Sequence, residues 1–263
     1  MATAANGPLS GLAMVTGGSA GIGLAFAKAL AARGCDLVLV ARNAERLETT
    51  AQKLRDSFGV DVEVLAADLS DAEQTTVIAQ RLQDQSRPID ILVNNAGSGL
   101  HAKFHTGDLD VHTRALDLMV RAVLVLGSTA ARAMAERGSG VIINVGSVAG
   151  LLAMNHYSAI KSWVNTFSDA LALEMRGTGV QVLGLLPGWV RTEFHQRAKI
   201  KTSSIPGFLW LDADELIDDT LKAVEAGKTR VVPSKRFRVI SFFLKHLPRP
   251  VERAVSAKIQ RGR

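Results

Sequence analysis

The stretch LAMVTGGSAGIGLAFAKAL, residues 12–30, decides the fold of this chain. It opens with an apolar run, Leu12–Thr16, that has the length and composition of a buried strand. A glycine-rich turn follows at once, and the next residues, Gly21–Arg33, have the apolar spacing of a helix. A strand, a tight glycine turn and a helix in this order predict the first βαβ unit of an α/β sheet.

The same alternation of strand and helix continues to about residue 232. The predicted strands are Leu12–Thr16, Asp36–Ala41, Val60–Ala66, Ile89–Asn94, Val141–Val145, Val180–Leu186 and Arg230–Val232. The predicted helices are Gly21–Arg33, Ala44–Phe58, Asp71–Gln85, Leu109–Arg137, Tyr157–Arg176 and Asp212–Ala226. Because the strands are continuous apolar runs, we predict a sheet covered on both faces. The fold class is therefore α/β: a single doubly wound Rossmann-type domain with a mainly parallel seven-stranded sheet.

The composition is that of an ordinary globular protein, with 47% hydrophobic and 21% charged residues among 263. The single cysteine, Cys35, excludes an internal disulfide and favours a reducing compartment. The first residues lack the basic start and apolar core of a secretory signal. The most apolar helical stretch, Ala115–Met134, carries one aspartate and two arginines, so we expect it to be buried rather than membrane-spanning. We therefore expect a cytoplasmic protein.

Charge is distributed unevenly along the chain. Between Lys228 and Arg263 there are 11 Lys+Arg and one acid, which gives this end a charge of +10 and leaves −4 for the remainder. The cations alternate with an apolar cluster made of Val239, Ile240, Phe242, Phe243, Leu244 and Leu247. We therefore divide the chain into a catalytic domain, residues 1–232, and a basic amphipathic C-terminal extension, residues 233–263.

The extension fits two kinds of partner. It has the pattern of a segment that contacts an anionic membrane surface through residues 234–263, and equally that of one that packs on the body or a second subunit while its cations stay solvated. Nucleic acid is not an expected partner, because the chain has no recognisable nucleic-acid-binding module.

Several motifs follow the glycine turn in a fixed order. The turn itself, TGGSAGIG at 16–23, has the spacing Gly-x-x-x-Gly-x-Gly. The later motifs are Asp68 after the third strand, NNAG at 94–97 after the fourth, Ser147 after the fifth, YSAIK at 157–161, and Pro187-Gly188 after the sixth. Over about residues 10–232 this order resembles the short-chain dehydrogenase/reductase family, and in particular its NADP-preferring members. The resemblance implies a cofactor half at about 10–145 and a catalytic and substrate half at about 146–232.

The resemblance implies an NADP(H) site at the carboxyl ends of the strands. In such a turn Gly17 allows a sharp bend, Gly21 lets backbone N–H groups approach a pyrophosphate, and Gly23 permits close packing of the helix. The second strand ends at Ala41 without an acid, and Arg42 follows, so a 2′-phosphate is favoured over a 2′-hydroxyl. The implied cofactor residues are Gly17, Ser19, Ala20, Gly21, Ile22, Gly23, Arg42, Asp68, Leu69, Asn94, Ala96, Gly97, Tyr157, Lys161, Pro187, Gly188, Val190 and Thr192.

The resemblance also implies a catalytic group of Ser147, Tyr157 and Lys161. Tyr157 is the only tyrosine in the chain, and helical spacing places Lys161 on the same face one turn later. Hydride reduction of a ketone places negative charge on the carbonyl oxygen, so a proton donor is needed there, and a nearby ammonium favours the phenolate of the reverse reaction. Ser147 would donate a second hydrogen bond to the same oxygen.

Two features depart from the family pattern. Ser147 precedes Tyr157 by ten residues, about three fewer than is common in the family, which alters the wall of the substrate pocket. Met119 stands where many members have a catalytic asparagine, whose main-chain carbonyl holds a water that leads to the lysine. A carbonyl survives substitution, so we expect the proton relay to work without the amide side chain.

The histidines do not predict a metal site. His101 and His105 are four residues apart, but no cysteine or suitable set of carboxylates accompanies them. His156, beside Tyr157, is interpreted as a residue of the substrate loop and Ser158 as pointing off the catalytic face.

The predicted activity is NADPH-dependent reduction of a hydrophobic or acyl-chain ketone or aldehyde. The apolar character of the irregular stretch that ends at Leu211 favours such a substrate, although this stretch could equally pack on its own domain. Its apolar residues are Phe194, Ile200, Ile205, Pro206, Phe208, Leu209 and Trp210. The alternatives are a non-catalytic NADP-binding sensor and an adaptor that binds lipid surfaces. Because the family assembles through its long helices, here Leu109–Arg137 and Tyr157–Arg176, we expect a homodimer or homotetramer.

Overall fold

The seven predicted strands form one parallel sheet, and two further short strands form a separate pair. The computed structural model describes residues 9–100, 102–105, 107–192, 206–246, 248, 250, 251, 254, 256 and 257. Its strands are β1 (Leu12–Thr16), β2 (Asp36–Ala41), β3 (Val62–Ala66), β4 (Ile91–Asn94), β5 (Gly140–Val145), β6 (Val180–Leu185), β7 (Trp189–Val190), β8 (Trp210–Leu211) and β9 (Arg230–Val231). Seven of these pair in the order β3-β2-β1-β4-β5-β6-β9, and every pairing is parallel. The predicted fold class is confirmed.

Helices cover both faces of the sheet. They are α1 (Gly21–Ala31), α2 (Ala44–Phe58), α3 (Ala72–Gln83), α4 (Leu109–Leu116), α5 (Ala122–Arg137), α6 (His156–Glu174), α7 (Ala213–Glu225) and α8 (Lys235–His246). One core layer lies between the sheet and α1, α2, α7 and α8, and the other between the sheet and α3, α5 and α6. Successive strand residues contribute to opposite layers, as Met14 and Val15 do, because side chains alternate across a strand.

The order of the strands reverses between β1 and β4, and this position locates the site. From β1 the chain moves outward to β2 and β3, then returns across β1 to β4 and continues in the other direction. In an open α/β sheet a crevice forms at such a reversal, outside the carboxyl ends of the strands. The glycine turn after Thr16 and the residues after Asn94 meet at this crevice.

The element boundaries differ from the predicted ones by one or two residues. Side-chain caps account for two of these differences, since Asn155 caps α6 so that it begins at His156, and Asp212 caps α7 so that it begins at Ala213. His156 therefore begins a helix, so its assignment to a substrate loop is wrong.

The long helix predicted at 109–137 is interrupted. Residues Asp117–Arg121 form a π-helical turn between α4 and α5, with a hydrogen bond from the N–H of Ala122 to the carbonyl of Asp117. Within the described part of the chain, this one helical stretch is apolar and long enough to cross a membrane. Half of its most apolar window is buried in the domain, and the buried core helices of globular proteins can have the same length and composition.

The region after β6 is more regular than predicted. Trp189–Val190 pairs in parallel with Trp210–Leu211, and a short 3-10 turn, Gly207–Leu209, precedes the second strand. The prediction of no regular element up to Leu211 is wrong here, because two-residue strands give no periodic signal. Residues 193–205, which include the predicted lid residues Phe194, Ile200 and Ile205, lie outside the described residues.

The first part of the C-terminal extension is a helix that packs on the domain. The ring of Phe237 in α8 is buried in the core layer of α1 and α7. It occupies the space beside Gly188, where any Cβ would overlap it. The face of α8 that carries Phe242 points away from the body and is exposed. Packing of the extension on its own domain, one of the two alternatives, therefore holds for the inner face of α8.

Phe237→Ala should lower the free energy of unfolding by about 3 kcal/mol, since it removes a buried ring and leaves a cavity beside Gly188. The same change at the exposed Phe242 should alter it by less than about 0.5 kcal/mol. Urea denaturation followed by circular dichroism measures both values. Equal effects of the two substitutions would contradict the packing described for α8.

Candidate active site

The glycine turn brings the start of α1 to the crevice. Gly17 and Gly21 have positive φ angles of 69° and 53°, which L side chains rarely adopt. A Cβ on Gly23 would overlap the carbonyl of Gly17, so the helix can pack this closely only on glycine. Gly17 and Gly23 therefore have the bending and packing roles that the spacing implied, and the approach of a pyrophosphate to Gly21 stays a prediction.

Helix α1 begins without a side-chain cap. Its N-cap residue is Ala20, and its first turn has no acidic residue, whereas Asn or Asp side chains cap α2, α3, α4, α6 and α7. The first N–H groups of a helix need partners, and the helix dipole makes them attractive to an anion. The start of α1 therefore fits a pyrophosphate. Ser19 and Ile22 beside it are largely buried.

The turn is held by hydrogen bonds between the end of β1 and the residues directly after β4. Asn95 donates its Nδ2 to the carbonyl of Thr16 at 2.8 Å. The Thr16 hydroxyl accepts the N–H groups of Asn95 and Ala96 at 2.9 and 3.0 Å. Asn95, which the sequence analysis did not select, positions the cofactor turn, and its place between two selected residues was the available signal.

The other residues of the NNAG motif are placed as follows. Asn94 donates its Nδ2 to Oδ1 of the buried Asn144 on β5 at 2.9 Å, so its side chain joins two strands. A Cβ on the exposed Gly97 would lie 3.3 Å from Sδ of Met119, which places the methionine under this loop. The cofactor contacts implied for Asn94 and Gly97 stay predictions.

A cluster of charges lies at the ends of β2 and β3. Asp68 accepts hydrogen bonds from the N–H and hydroxyl of Ser70 and pairs with Arg114 at 3.2 Å. Partial burial alone would raise the pKa of Asp68, but Ser70 and the cations Arg42 and Arg114 hold it below its ordinary value. Leu69 is buried beside it. The cofactor contacts implied for Asp68 and Leu69 stay predictions.

A second arginine reaches the glycine turn. Arg46, on the first turn of α2, donates Nε to the carbonyl of Ser19 at 3.0 Å. Arg42, directly after β2, is exposed. The sequence analysis missed Arg46, although it lies four residues after Arg42. Arg42 and Arg46 together surround the end of β2 with positive charge, which suits a phosphate.

The segment after β6 lies across the same crevice. A Cβ on Gly21 would contact the Thr192 side chain at 3.3 Å, so the end of this segment faces the start of α1. The carbonyl of Pro187 accepts the N–H of Val148, and Val190 is buried. Gly188 faces Phe237, so its lack of a side chain is needed for packing as well as for the predicted cofactor contact.

Tyr157 and Lys161 lie together at the start of α6. The Lys161 Nζ atom is 5.9 Å from the centroid of the Tyr157 ring and donates to the carbonyl of Val145 at 2.8 Å. Burial lowers the pKa of Lys161 to about 8. The ring of Tyr157 packs with Leu100, Ala115, Met119 and Ile160, so the surroundings of the phenol are apolar.

Ser147 lies directly after β5, at the start of a 3-10 turn, Val148–Leu151. Its Oγ accepts the N–H of Ala149 at 3.0 Å and lies 3.5 Å from the carbonyl of Pro187. The hydroxyl proton is thus held only by a long contact, and it can be given to another acceptor. Ser158, which was predicted to point off the catalytic face, forms a capping box with Asn155 at the start of α6.

Asn165 is a site residue that the sequence analysis missed. Its Nδ2 donates to the carbonyl of Ser147 at 3.0 Å and its Oδ1 accepts the N–H of Ser147 at 3.3 Å. The amide fills the space beside Gly146 and Gly150, where a Cβ on either residue would overlap it. Because Asn165 lies four residues after Lys161, helical spacing was the signal that could have found it. The short loop before Tyr157 is thus clamped to α6 by one side chain.

A pair of buried histidines lies where α4 meets the start of α6. The Nδ1 atoms of His112 and His156 are 2.7 Å apart, so one ring donates and the other accepts. Phe104 stacks on His112, with ring centroids 5.3 Å apart. Burial, and then the neighbouring His112, lowers the pKa of His156. The pair joins α4 to α6 beside Tyr157.

Among the described residues, no group of three or more His, Cys, Asp or Glu side chains could hold a metal ion. His101 lies outside them.

Comparison with known proteins identifies the family. The model of short chain dehydrogenases matches residues 11–202. Gluconate 5-dehydrogenase of Gluconobacter oxydans is 38% identical over 194 residues, which cover 70% of this chain and 73% of the relative. A short-chain dehydrogenase from Sphingobium yanoikuyae, solved in complex with NADPH, is 35% identical with a TM-score of 0.81 and covers 87% of this chain and 91% of that structure.

A second solved structure covers more of the chain. The bulky-bulky ketone specific alcohol dehydrogenase from Comamonas testosteroni is 30% identical, with a TM-score of 0.76 over 94% of this chain and 91% of that structure. The chain belongs to the short-chain dehydrogenase/reductase family and is an oxidoreductase of that family. The resemblance noted in the sequence is confirmed.

Asn165→Asp should lower the free energy of unfolding by about 2 kcal/mol, because a carboxylate oxygen then faces the Ser147 carbonyl that the amide N–H₂ now satisfies. The isosteric control is Asn43→Asp at the exposed N-cap of α2, where an acid caps as well as an amide. Chemical denaturation at pH 7 measures both. No difference between the two variants would rule out the clamp.

Lys161→Met should raise the free energy of unfolding of the ligand-free protein by about 1–3 kcal/mol at pH 7, because a buried charge is removed. The folded-state pKa of about 8 lies below the usual 10.5, so the unfolded chain binds more protons between these values. Wild-type stability should therefore rise from pH 8 to 10.5 relative to the variant. Denaturation at several pH values checks this. A less stable variant at pH 7 would show that the ammonium is net stabilising.

Proposed function

We propose that this protein is an NADPH-dependent reductase of ketones or aldehydes, and that its substrate is hydrophobic or carries an acyl chain. The observation that carries the proposal is that Tyr157 and Lys161 share one face of α6 at the carboxyl end of β5, the same edge of the sheet as the uncapped start of α1. The relative from Sphingobium yanoikuyae binds NADPH, and the one from Comamonas testosteroni acts on bulky ketones, which supports this assignment.

The positive charge at the start of α1 and at the end of β2 supports NADP(H) as the cofactor. The pyrophosphate would lie at the N-terminus of α1, and the guanidinium groups of Arg42 and Arg46 would hold the 2′-phosphate of NADP(H). No carboxylate follows β2 directly to accept a ribose hydroxyl, which is what an NAD site needs. Bound NADPH supplies the hydride.

The remaining steps belong to side chains of this chain. The Tyr157 hydroxyl donates its proton to the carbonyl oxygen as negative charge develops there. The Ser147 hydroxyl donates a hydrogen bond to the same oxygen, and the Lys161 ammonium lowers the cost of charge on the phenol. Reprotonation of Tyr157 would pass through water held by the Met119 carbonyl, in the π-helical turn where regular helical pairing of carbonyls is interrupted.

An apolar substrate agrees with the surroundings of the phenol. Tyr157 lies among Leu100, Met119 and Ile160, and the rings of Trp189 and Trp210 lie 6.1 Å apart in the segment after β6. Gluconate 5-dehydrogenase, a relative of similar identity, has a polar substrate by its name, so family membership alone does not choose the substrate class. The apolar lining is the reason for our choice.

Two further expectations form part of the proposal. The chain would act as a homodimer or homotetramer, built through α4–α5 and α6, where Leu109, Leu124 and Leu173 are exposed apolar residues. It would be cytoplasmic, which agrees with its single buried cysteine, and contact with an anionic membrane would be peripheral.

The test is consumption of NADPH and of NADH, at equal concentrations, over a series of ketones and aldehydes of increasing apolar size. We expect faster turnover with NADPH and with the larger apolar substrates. Tyr157→Phe should lower turnover at least about a thousandfold, because the proton donor is lost, while NADPH binding by fluorescence is kept.

Binding of NADPH without turnover of any carbonyl compound would favour the sensor over the reductase. Equal or faster turnover with NADH would show that Arg42 and Arg46 do not select the phosphate. Preference for polyols or sugar acids would overturn the apolar substrate class and leave the chemistry of Tyr157 intact.

A further inference from the structure

Helix α8 has two apolar faces, and only one of them is covered by the domain. Phe237 and Ser241 are buried on the inner face, with Ile240 and Leu244 partly buried beside them. On the outer face the side chains of Val239, Phe242 and Phe243 are 56%, 62% and 62% exposed. Ordinary surface helices have one apolar face, so the outer apolar face needs a separate explanation.

Cations border the outer face. At 100° per residue, Arg238 and Lys245 fall on one side of the stripe of Val239, Phe242 and Phe243, and Arg236 falls on the other. All three cations are exposed. An apolar stripe bordered by cations on both sides is the pattern of a helix that lies in the interface of an anionic bilayer.

The same surface continues onto the segment that leads into β8. Arg236 donates a hydrogen bond to the carbonyl of Phe208, and the side chain of Phe208 is 63% exposed. Arg191 stacks over the ring of Trp210, 5.8 Å from its centroid, so a further cation lies in this segment. The docking surface thus consists of the outer face of α8 and Phe208.

We infer that this surface docks on an anionic lipid bilayer, with Phe242, Phe243 and Phe208 inserted among the headgroups. The charge of residues 228–263, with 11 Lys+Arg against one acid, favours an anionic surface. A second copy of this chain fits less well, since a two-fold contact would place the cations of both copies against each other. On a bilayer, the anionic headgroups would pair with the cations, and the upper part of the acyl chains would bury the aromatic rings.

Docking would also help substrate to reach the site, an inference that rests on the proposed function. The inner face of α8 contacts Gly188 and the 3-10 turn after Ser147, and Phe208 belongs to the segment that pairs with Trp189–Val190. A bilayer bound at the outer face would therefore lie beside the entrance to the site. An apolar carbonyl substrate dissolved in the lipid would then reach the site without crossing water.

The experiment measures binding of the full chain to vesicles in the absence of cofactor and ketone. Cosedimentation is compared for vesicles of phosphatidylcholine alone and of equal parts phosphatidylcholine and phosphatidylglycerol. We expect binding to the anionic vesicles only, weakened severalfold when sodium chloride is raised across the physiological range. Failure of this test leaves the proposed reduction untouched, because no turnover is measured.

Matched variants identify the surface. The double change Phe242→Ser and Phe243→Ser, and separately Arg238→Glu with Lys245→Glu, should each weaken binding at least about tenfold. Val77→Ser with Phe58→Ser, and Arg132→Glu with Arg176→Glu, make the same kinds of change on exposed residues of α2, α3 and α5 or just after α6. These controls should bind as the wild type does. Unfolding midpoints are measured to show that each variant is folded.

Three results would overturn the inference. One is the absence of binding to anionic vesicles, and another is equal binding to neutral vesicles. The third is that Phe242→Ser with Phe243→Ser converts a dimer to a monomer in sedimentation velocity, since a second copy would then cover the face.

Discussion

The hydrogen bond from the Lys161 ammonium to the carbonyl of Val145 fixes how α6 meets the end of β5. A cation inside a protein is costly, and this one is kept with one strong acceptor and a lowered pKa. One turn earlier on the same face is the phenol of Tyr157, and one turn later the amide of Asn165 holds Ser147 at both main-chain atoms. The position of every proposed catalytic group therefore depends on this one face of α6.

The cofactor side of the crevice is organised by backbone geometry more than by side chains. Two glycines with positive φ and one at a contact too close for a Cβ bring the start of α1 forward, and Ala20 leaves its first N–H groups uncapped. Asn95, directly after the neighbouring strand β4, holds the turn by hydrogen bonds to Thr16 at the end of β1. A turn held in place before an anion arrives pays little conformational entropy on binding.

Much of this arrangement could be predicted from the sequence, because strand runs, helix spacing and glycine turns are local patterns. The seven-stranded parallel sheet and the face shared by Tyr157 and Lys161 follow from such patterns. Asn165, Arg46 and the pair of His112 and His156 were not found, since each acts on a partner between 18 and 44 residues away. The β7–β8 pair was missed because two residues carry no period, and the π-helical turn because its sequence is that of an ordinary helix.

The contact between Phe237 and Gly188 shows that the compositional division at residue 232 is not a boundary of the packed core. By composition the extension looks like an appendage, yet its first helix closes the core next to the Pro187-Gly188 turn. Truncating the protein at residue 232 would remove the Phe237 ring from beside Gly188 and expose apolar core residues to water. A shortened chain prepared for crystallisation should therefore retain the residues through His246, and fusion partners belong beyond them.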